Sequence, residues 1–208
     1  MRVNVSAKFF AVALVLVSSL TCAQSKAVIN ANAEGNKAYY LQDFESASGK
    51  FELALKLATE SENSQYRAIA MYGLARTSAQ LCKISSAEKW FRESIALREK
   101  LPDDKYALLT QNIVEFSRFL LANKRVEDAV PYMSKAIPLL ESLEIEKSDP
   151  VAYLNFLDSY IFSLQKLGRT DDVEKISVRA LELKTKYPGQ SAKFKPDPYP
   201  SNCPEMGR

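Results

Sequence analysis

The stretch GNKAYYLQDFESASGKFELAL, Gly35 to Leu55, decides the fold. A small residue, Gly35, is followed twelve positions later by Ala47, four later by the bulky Phe51 and three later by Ala54. The four-then-three step puts Ala47, Phe51 and Ala54 on one face of a helix, and Gly35 lets the backbone of a preceding helix approach that face closely. The same spacing returns as Ala75, Ala87, Phe91 and Ser94, and then as Ser117, Ala129, Met133 and Ala136. A fourth, degenerate copy has Ile161, Val173, Ser177 and Ala180. The register advances by 40, 42 and 44 residues, the mark of a repeat array. Each copy reads as two antiparallel helices, near 28–61, 68–101, 110–143 and 154–187. The apolar positions of the pattern are packing positions, because stacked repeats bury one continuous core.

Boundary signals agree with this division. Asp43, Ser85 and Thr170 stand where second helices are expected to begin, with Ser85-Ser86-Ala87-Glu88 as a capping box. Asp171-Asp172 sets negative charge against a helix N-terminus, and Asp149-Pro150 supplies an N-cap and a preformed first helical residue. Pro102 is expected to break the chain between the second and third copies, and Pro188-Gly189 to end the last helix.

These residues resemble the tetratricopeptide repeat family, in the run from Gly35-Asn36-Lys37-Ala38-Tyr39 through Asp43-Phe44-Glu45-Ser46-Ala47 to Phe51 and Ala54-Leu55. The longer register is similar to the kinesin-light-chain type, through Ile95-Ala96-Leu97-Arg98-Glu99-Lys100 with Pro102-Asp103, and through Ala129-Val130-Pro131-Tyr132. A proline in the second turn of the second helix recurs in that subfamily. This accounts for Pro131, which otherwise costs about 3 kcal/mol in a helix interior. The resemblance implies an all-α, right-handed solenoid with a concave binding face. It also implies binding along the inner face of the first helices, and so names Asn36, Tyr39, Tyr40, Tyr72, Arg76, Arg118, Phe162 and Lys166 as a peptide-binding groove. Tyrosine and arginine dominate interface hot spots, and Arg76 and Arg118 suit an acidic or C-terminal carboxylate. The family's carboxylate clamp of lysines, asparagines and an arginine is not repeated. Asn36 matches one clamp asparagine, but Asn32, Gly73, Gln111 and Glu115 occupy the other positions.

Composition narrows the chemistry further. The 208 residues include no histidine, which removes Ser-His-Asp and Cys-His nucleophile systems and HExxH zinc sites. Six scattered glycines form no phosphate loop, and no CxxC pair exists. The best carboxylate pairs, Asp103-Asp104 and Asp171-Asp172, fall at helix starts where capping explains them. No enzyme, cofactor or metal is expected. Basic and acidic residues, 28 and 25, are interspersed, which argues against nucleic-acid binding.

Residues 1–23 read as a secretory signal. Arg2 and Lys8 precede the apolar run Phe9 to Val17, no acid occurs before Glu34, and Thr21-Cys22-Ala23 offers a cut after Ala23. The apolar run is too short for a membrane span. A lipoprotein anchored at Cys22 is the rival reading, although Leu20-Thr21 is a poor match for a lipoprotein box. Without residues 1–23 the charge balance falls to 26 basic against 25 acidic. Cys82 and Cys203 then remain as a candidate disulfide, with a half-buried Cys82 and a free Cys203 thiol as the alternative.

The chain after 187, residues 188–208, holds five of the nine prolines and cannot continue the array. The last second helix is expected to expose Val173, Ile176, Ala180 and Leu183. Phe194 and Tyr199 are candidates to fold back over that face, as is a partner or a second copy. A further reading makes Pro196-Asp197-Pro198-Tyr199-Pro200 a polyproline ligand. The function expected from all of this is a non-catalytic, exported or periplasmic scaffold that binds a protein or peptide in an envelope assembly. A peptide-responsive regulator and an outer-membrane-anchored lipoprotein are the alternatives.

Overall fold

A computed structural model describes residues 25–101, 107–200 and 203. The signal segment, Cys22, Pro102 and Asp103-Asp104 lie outside the described residues. Among the described residues every regular element is a helix: α1 (25–40), α2 (Phe44–Glu60), α3 (Ser64–Gln80), α4 (Ile84–Arg98), α5 (Ala107–Ala122), α6 (Val126–Ser142), α7 (Ile145–Ser148), α8 (Pro150–Lys166) and α9 (Thr170–Lys186). They fall into two compact units that divide between Leu97 and Arg98.

One turn design joins most neighbouring helices. Gln42, Glu62, Cys82, Lys124 and Gly168 each adopt a left-handed backbone, with φ between 52° and 68°. The residue after each one donates its N–H to a carbonyl five positions back, as in Asp43 to Ala38 (3.0 Å), Asn63 to Ala58 (2.9 Å) and Arg125 to Leu120 (3.0 Å). This Schellman closure satisfies carbonyls that the helix end would otherwise leave open. Only Gly168 takes the left-handed position without a Cβ, and a Cβ built there meets nothing within 4 Å. Gly168→Ala is therefore a purely conformational change. It should lower stability by about 1 kcal/mol, read from urea unfolding midpoints; no measurable loss would contradict that backbone strain.

In the first unit the repeat pattern is buried as the spacing requires. Ala47, Phe51, Ala54, Ala87, Phe91 and Ser94 are all buried. Phe51 on α2 sits where two helices come close: a Cβ on Gly35 of α1 would lie 2.8 Å from its Cε1, and one on Gly73 of α3 only 2.4 Å from its Cδ1. Ala31, Ala54 and Ala70 make a second small-residue contact among the same three helices. Ser94 replaces the alanine of the pattern without leaving its hydroxyl unsatisfied, because Oγ donates to the carbonyl of Ala68 (2.8 Å).

In the second unit Ala129, Met133 and Ala136 are buried on α6, which stays helical through Pro131 and Pro138. Both prolines are exposed, so the carbonyls that lose a donor can face water. Tyr153 and Leu157 of α8 pack with Ala180 and Leu183 of α9. One expectation is corrected here. Ala180 and Leu183 turn inward onto α8, with Val173 and Ile176 half-buried, because the pattern faces its own hairpin partner. The exposed apolar residues of α9 are Val178 and Leu181 instead.

The helix starts follow the sequence in part. Asp43 caps α2 by accepting from the Ser46 N–H (3.1 Å), and Asp149 caps α8, where Pro150 is the first residue. By contrast, α4 begins at Ile84, so Ser85 lies inside its first turn. Thr170 opens α9 behind Arg169, and no side chain caps that end. Instead, Arg169 pairs with Asp172 across the first turn.

Candidate functional site

In the first unit the expected groove residues collect around Arg76. Helical spacing puts Tyr72 and Arg76 on one side of α3, beside Tyr39 and Tyr40 at the end of α1. The Arg76 guanidinium lies 3.9 Å from the ring centroid of Tyr39, 5.3 Å from that of Tyr72 and 5.8 Å from that of Tyr40. Three electron-rich faces thus hold a planar cation, at roughly 0.5–2 kcal/mol per contact depending on exposure. Tyr39 also packs edge-on against Phe44, and Tyr72 against Phe91. As a result Tyr39, Tyr72 and Arg76 are buried, and Asn36 is half-buried. Tyr40, 71% exposed, is the aromatic of this group open to a partner.

In the second unit α5 and the start of α8 carry a visitor from the same chain. Glu115 and Arg118, one helical turn apart on α5, form an ion pair of 2.5 Å. The second Arg118 nitrogen, Nη2, donates to the backbone carbonyl of Asp197 (2.8 Å). Tyr199 donates its hydroxyl to the other oxygen of Glu115, Oε2 (2.7 Å), sets its ring edge-on to Phe119, and lies 5.6 Å from the Arg118 guanidinium. It is only 8% exposed. At the other end of this segment, Asp149 Oδ2 accepts from the N–H groups of Lys193 (2.9 Å) and Phe194 (2.8 Å), while Oδ1 caps α8 through Ala152 N–H (3.1 Å). Lys193 Nζ adds a bond to the carbonyl of Ser148 (2.6 Å).

Residues 193–199 are non-helical and bridge the start of α8 to the middle of α5. Beside them lies a cavity of about 550 Å³, lined by Val114 and Arg118 of α5, Met133 of α6, Phe156 of α8, and Phe194 and Pro196 of the segment itself. Next to it, α7 is tied to α9 by Glu146, which pairs with Arg179 and with Lys186 (2.9 Å). The Lys186 hydrogen bond, with that of Arg179, holds the Glu146 carboxyl below its ordinary pKa. Burial, reinforced by Glu141, pushes the Tyr153 phenol up to about 12, so it stays neutral as the donor to Glu141 (3.2 Å).

No family model matches the chain, and no curated protein matches it. Solved structures do. BtubC (BKLC) from P. vanneervenii superposes with a TM-score of 0.66 at 18% identity, covering 82% of this chain and 70% of that one. Aspartyl phosphate phosphatase F from Bacillus subtilis gives 0.64 at 18% identity, with 78% of this chain spanning 41% of that one. A Podosopora anserina putative kinesin light chain with nearly identical TPR-like repeats gives 0.59 at 14% identity, covering 84% and 87%. The fold is tetratricopeptide-like.

Within this tetratricopeptide-like solenoid class, seven of the eight expected groove residues separate into three groups, and Asn36 stands half-buried on α1. Tyr39, Tyr40, Tyr72 and Arg76 meet on the first unit, and Arg118 is engaged by Glu115 and Asp197 on the second. Phe162 and Lys166 form an exposed pair on α8, with the ammonium 5.3 Å from the ring centroid. The expected fold-back of Phe194 and Tyr199 over α9 is corrected: Tyr199 docks on α5, and Phe194 is 61% exposed at the cavity mouth. Glu115, which occupies one of the clamp positions, is the acceptor for that tyrosine. The second duty of Asp149 was not legible, because a carboxylate at a helix start looks complete once it caps. Cys82 and Cys203 are both in the disulfide state. Among the described residues, no helix is long and apolar enough to cross a membrane and no cluster of three or more His, Cys, Asp or Glu is placed to hold a metal.

Proposed function

We propose that this chain is a non-catalytic interaction module, exported to the periplasm or secreted, whose first-helix faces hold a peptide or protein within an envelope assembly. One observation carries the reading: the α5 and α8 face already receives a non-helical segment through groups that recognise main chain, Asp149 for N–H and Arg118 for C=O. Backbone recognition of this kind gives affinity without demanding one sequence, as a peptide-binding surface requires. The disulfide state of Cys82 and Cys203 supports the export half of the reading, since disulfides persist outside reducing compartments.

The test uses Tyr40→Ala and Phe162→Ala, two exposed positions whose loss leaves the cores intact. A partner captured by crosslinking in the native envelope should lose about tenfold or more in affinity with at least one variant. Unchanged capture by both would sink the reading. Mass spectrometry of the mature N-terminus separates the forms: a start at Gln24 supports a cleaved signal, and a lipid-modified Cys22 supports the anchored alternative.

A further inference from the structure

The segment on the α5 and α8 face is built like a ligand rather than like a connection. Its two ends are fixed by side chains that serve main-chain groups, Asp149 at residues 193 and 194 and Arg118 at the carbonyl of Asp197. Its one deeply buried side chain, Tyr199, has its ring on Phe119 and its hydroxyl on Glu115. Between those anchors, Pro196 and Pro198 bring no N–H that would have to leave water unpaired, and they restrict the chain before it binds. The fit is nonetheless incomplete, because the 550 Å³ cavity beside Phe194 and Pro196 stays open. Apolar side chains that line an open cavity lack partner atoms on that side, and a bulkier occupant would supply them.

We infer that residues 193–199 are a self-ligand, and that the partner of this face is a non-helical, proline-containing peptide anchored by a tyrosine between Glu115 and Phe119, which must displace the self-ligand to bind. This rests on the reading of the chain as a peptide-binding module and adds the ligand chemistry and its regulation. A tethered competitor acts at an effective concentration near millimolar, so the face is available only to a peptide that binds better or arrives in excess. The partner's apparent affinity is reduced by the fraction of molecules in which the segment is undocked. A partner carrying a larger apolar side chain over the open cavity gains contacts that the chain's own segment lacks.

The probe is a fluorescent peptide of sequence KFKPDPYP, residues 193–200, titrated by anisotropy into the full chain. A reductant is present because Cys203 is disulfide-bonded and would otherwise keep the segment near its site. Tyr199→Ala should bind the peptide at least tenfold more tightly than the unaltered chain. Adding Glu115→Ala should abolish that gain. Tyr199→Phe, which keeps the ring and removes only the hydroxyl, should fall between the two and serves if Tyr199→Ala does not fold. A peptide with alanine in place of its tyrosine should show no preference for any variant. Equal affinity for all chains would overturn the proposal, as would a dimer in which the segment of one copy occupies the face of another. Should the peptide fail while a native partner is still lost on Tyr40→Ala or Phe162→Ala, the module reading stands and the tyrosine-anchored ligand falls.

Discussion

Phe51→Ala should destabilise the first unit by about 3–5 kcal/mol, the range for emptying a fully buried phenylalanine site. The magnitude follows from where the ring sits. It fills the space left by two missing side chains on two different helices, Gly35 and Gly73, and its Cδ1 to Cε1 edge meets both. Tyr39, Ala47 and Leu74 share the cluster with the ring, but the two glycines that face its edge have no side chain to move into the hole. The reciprocal change is unusual for its size: Gly73→Ala adds a single methyl 2.4 Å from Cδ1 and should cost about 1–3 kcal/mol or more through overpacking, although alanine is the better helix former. The decisive measurement is the double variant in urea unfolding. If the ring and the methyl compete for one space, Phe51→Ala with Gly73→Ala loses less than the sum of the single changes, with a coupling of about 0.5–3 kcal/mol. Strict additivity would mean that the two residues do not share that space.

The second large effect is expected at Asp149. Its two carboxylate oxygens do different work, one capping α8 and the other accepting two N–H groups from the segment after α9. Removing both with Asp149→Ala should cost about 2–4 kcal/mol, from a cap at roughly 1 kcal/mol and charge-assisted hydrogen bonds at roughly 1.5–3 kcal/mol. Asp149→Ser separates the contributions, because one hydroxyl oxygen can cap the helix but cannot also reach the segment as the second carboxylate oxygen does. The serine variant should recover about 1 kcal/mol while amide exchange at Lys193 and Phe194 stays fast. Serine and alanine variants of equal stability would show that the cap contributes nothing.

The fold was legible from the sequence because its signal is repeated and local. A twelve-residue step followed by four and three recurs through the chain, and each copy places small and bulky residues where helices must touch. The same periodicity says nothing about which face of α9 remains open, and so Ala180 and Leu183 were expected outside when their own hairpin partner covers them. The site was legible only as a composition. Tyrosines and arginines at inner-face positions do gather around Arg76, but there they stack on one another, and three of the four are buried. What lay beyond the sequence was the long-range pairing of Tyr199 with Glu115, 84 residues apart. No local propensity encodes it, and the proline run that precedes Tyr199 suggested a ligand without naming its receptor.

The hairpin turns carry a consequence for how such an array tolerates change in length. Each turn within a hairpin spends one residue in a left-handed conformation and closes with the same backbone bond, so the second helix leaves at a fixed phase relative to the first. One inserted residue would rotate everything downstream by about 100° and carry the buried stripe away from its partner. This is why the step from small residue to alanine stays at twelve while the spacing between copies drifts from 40 to 44. Growth is confined to the joints between hairpins, and α7, tucked between α6 and α8, is added length that such a joint has absorbed.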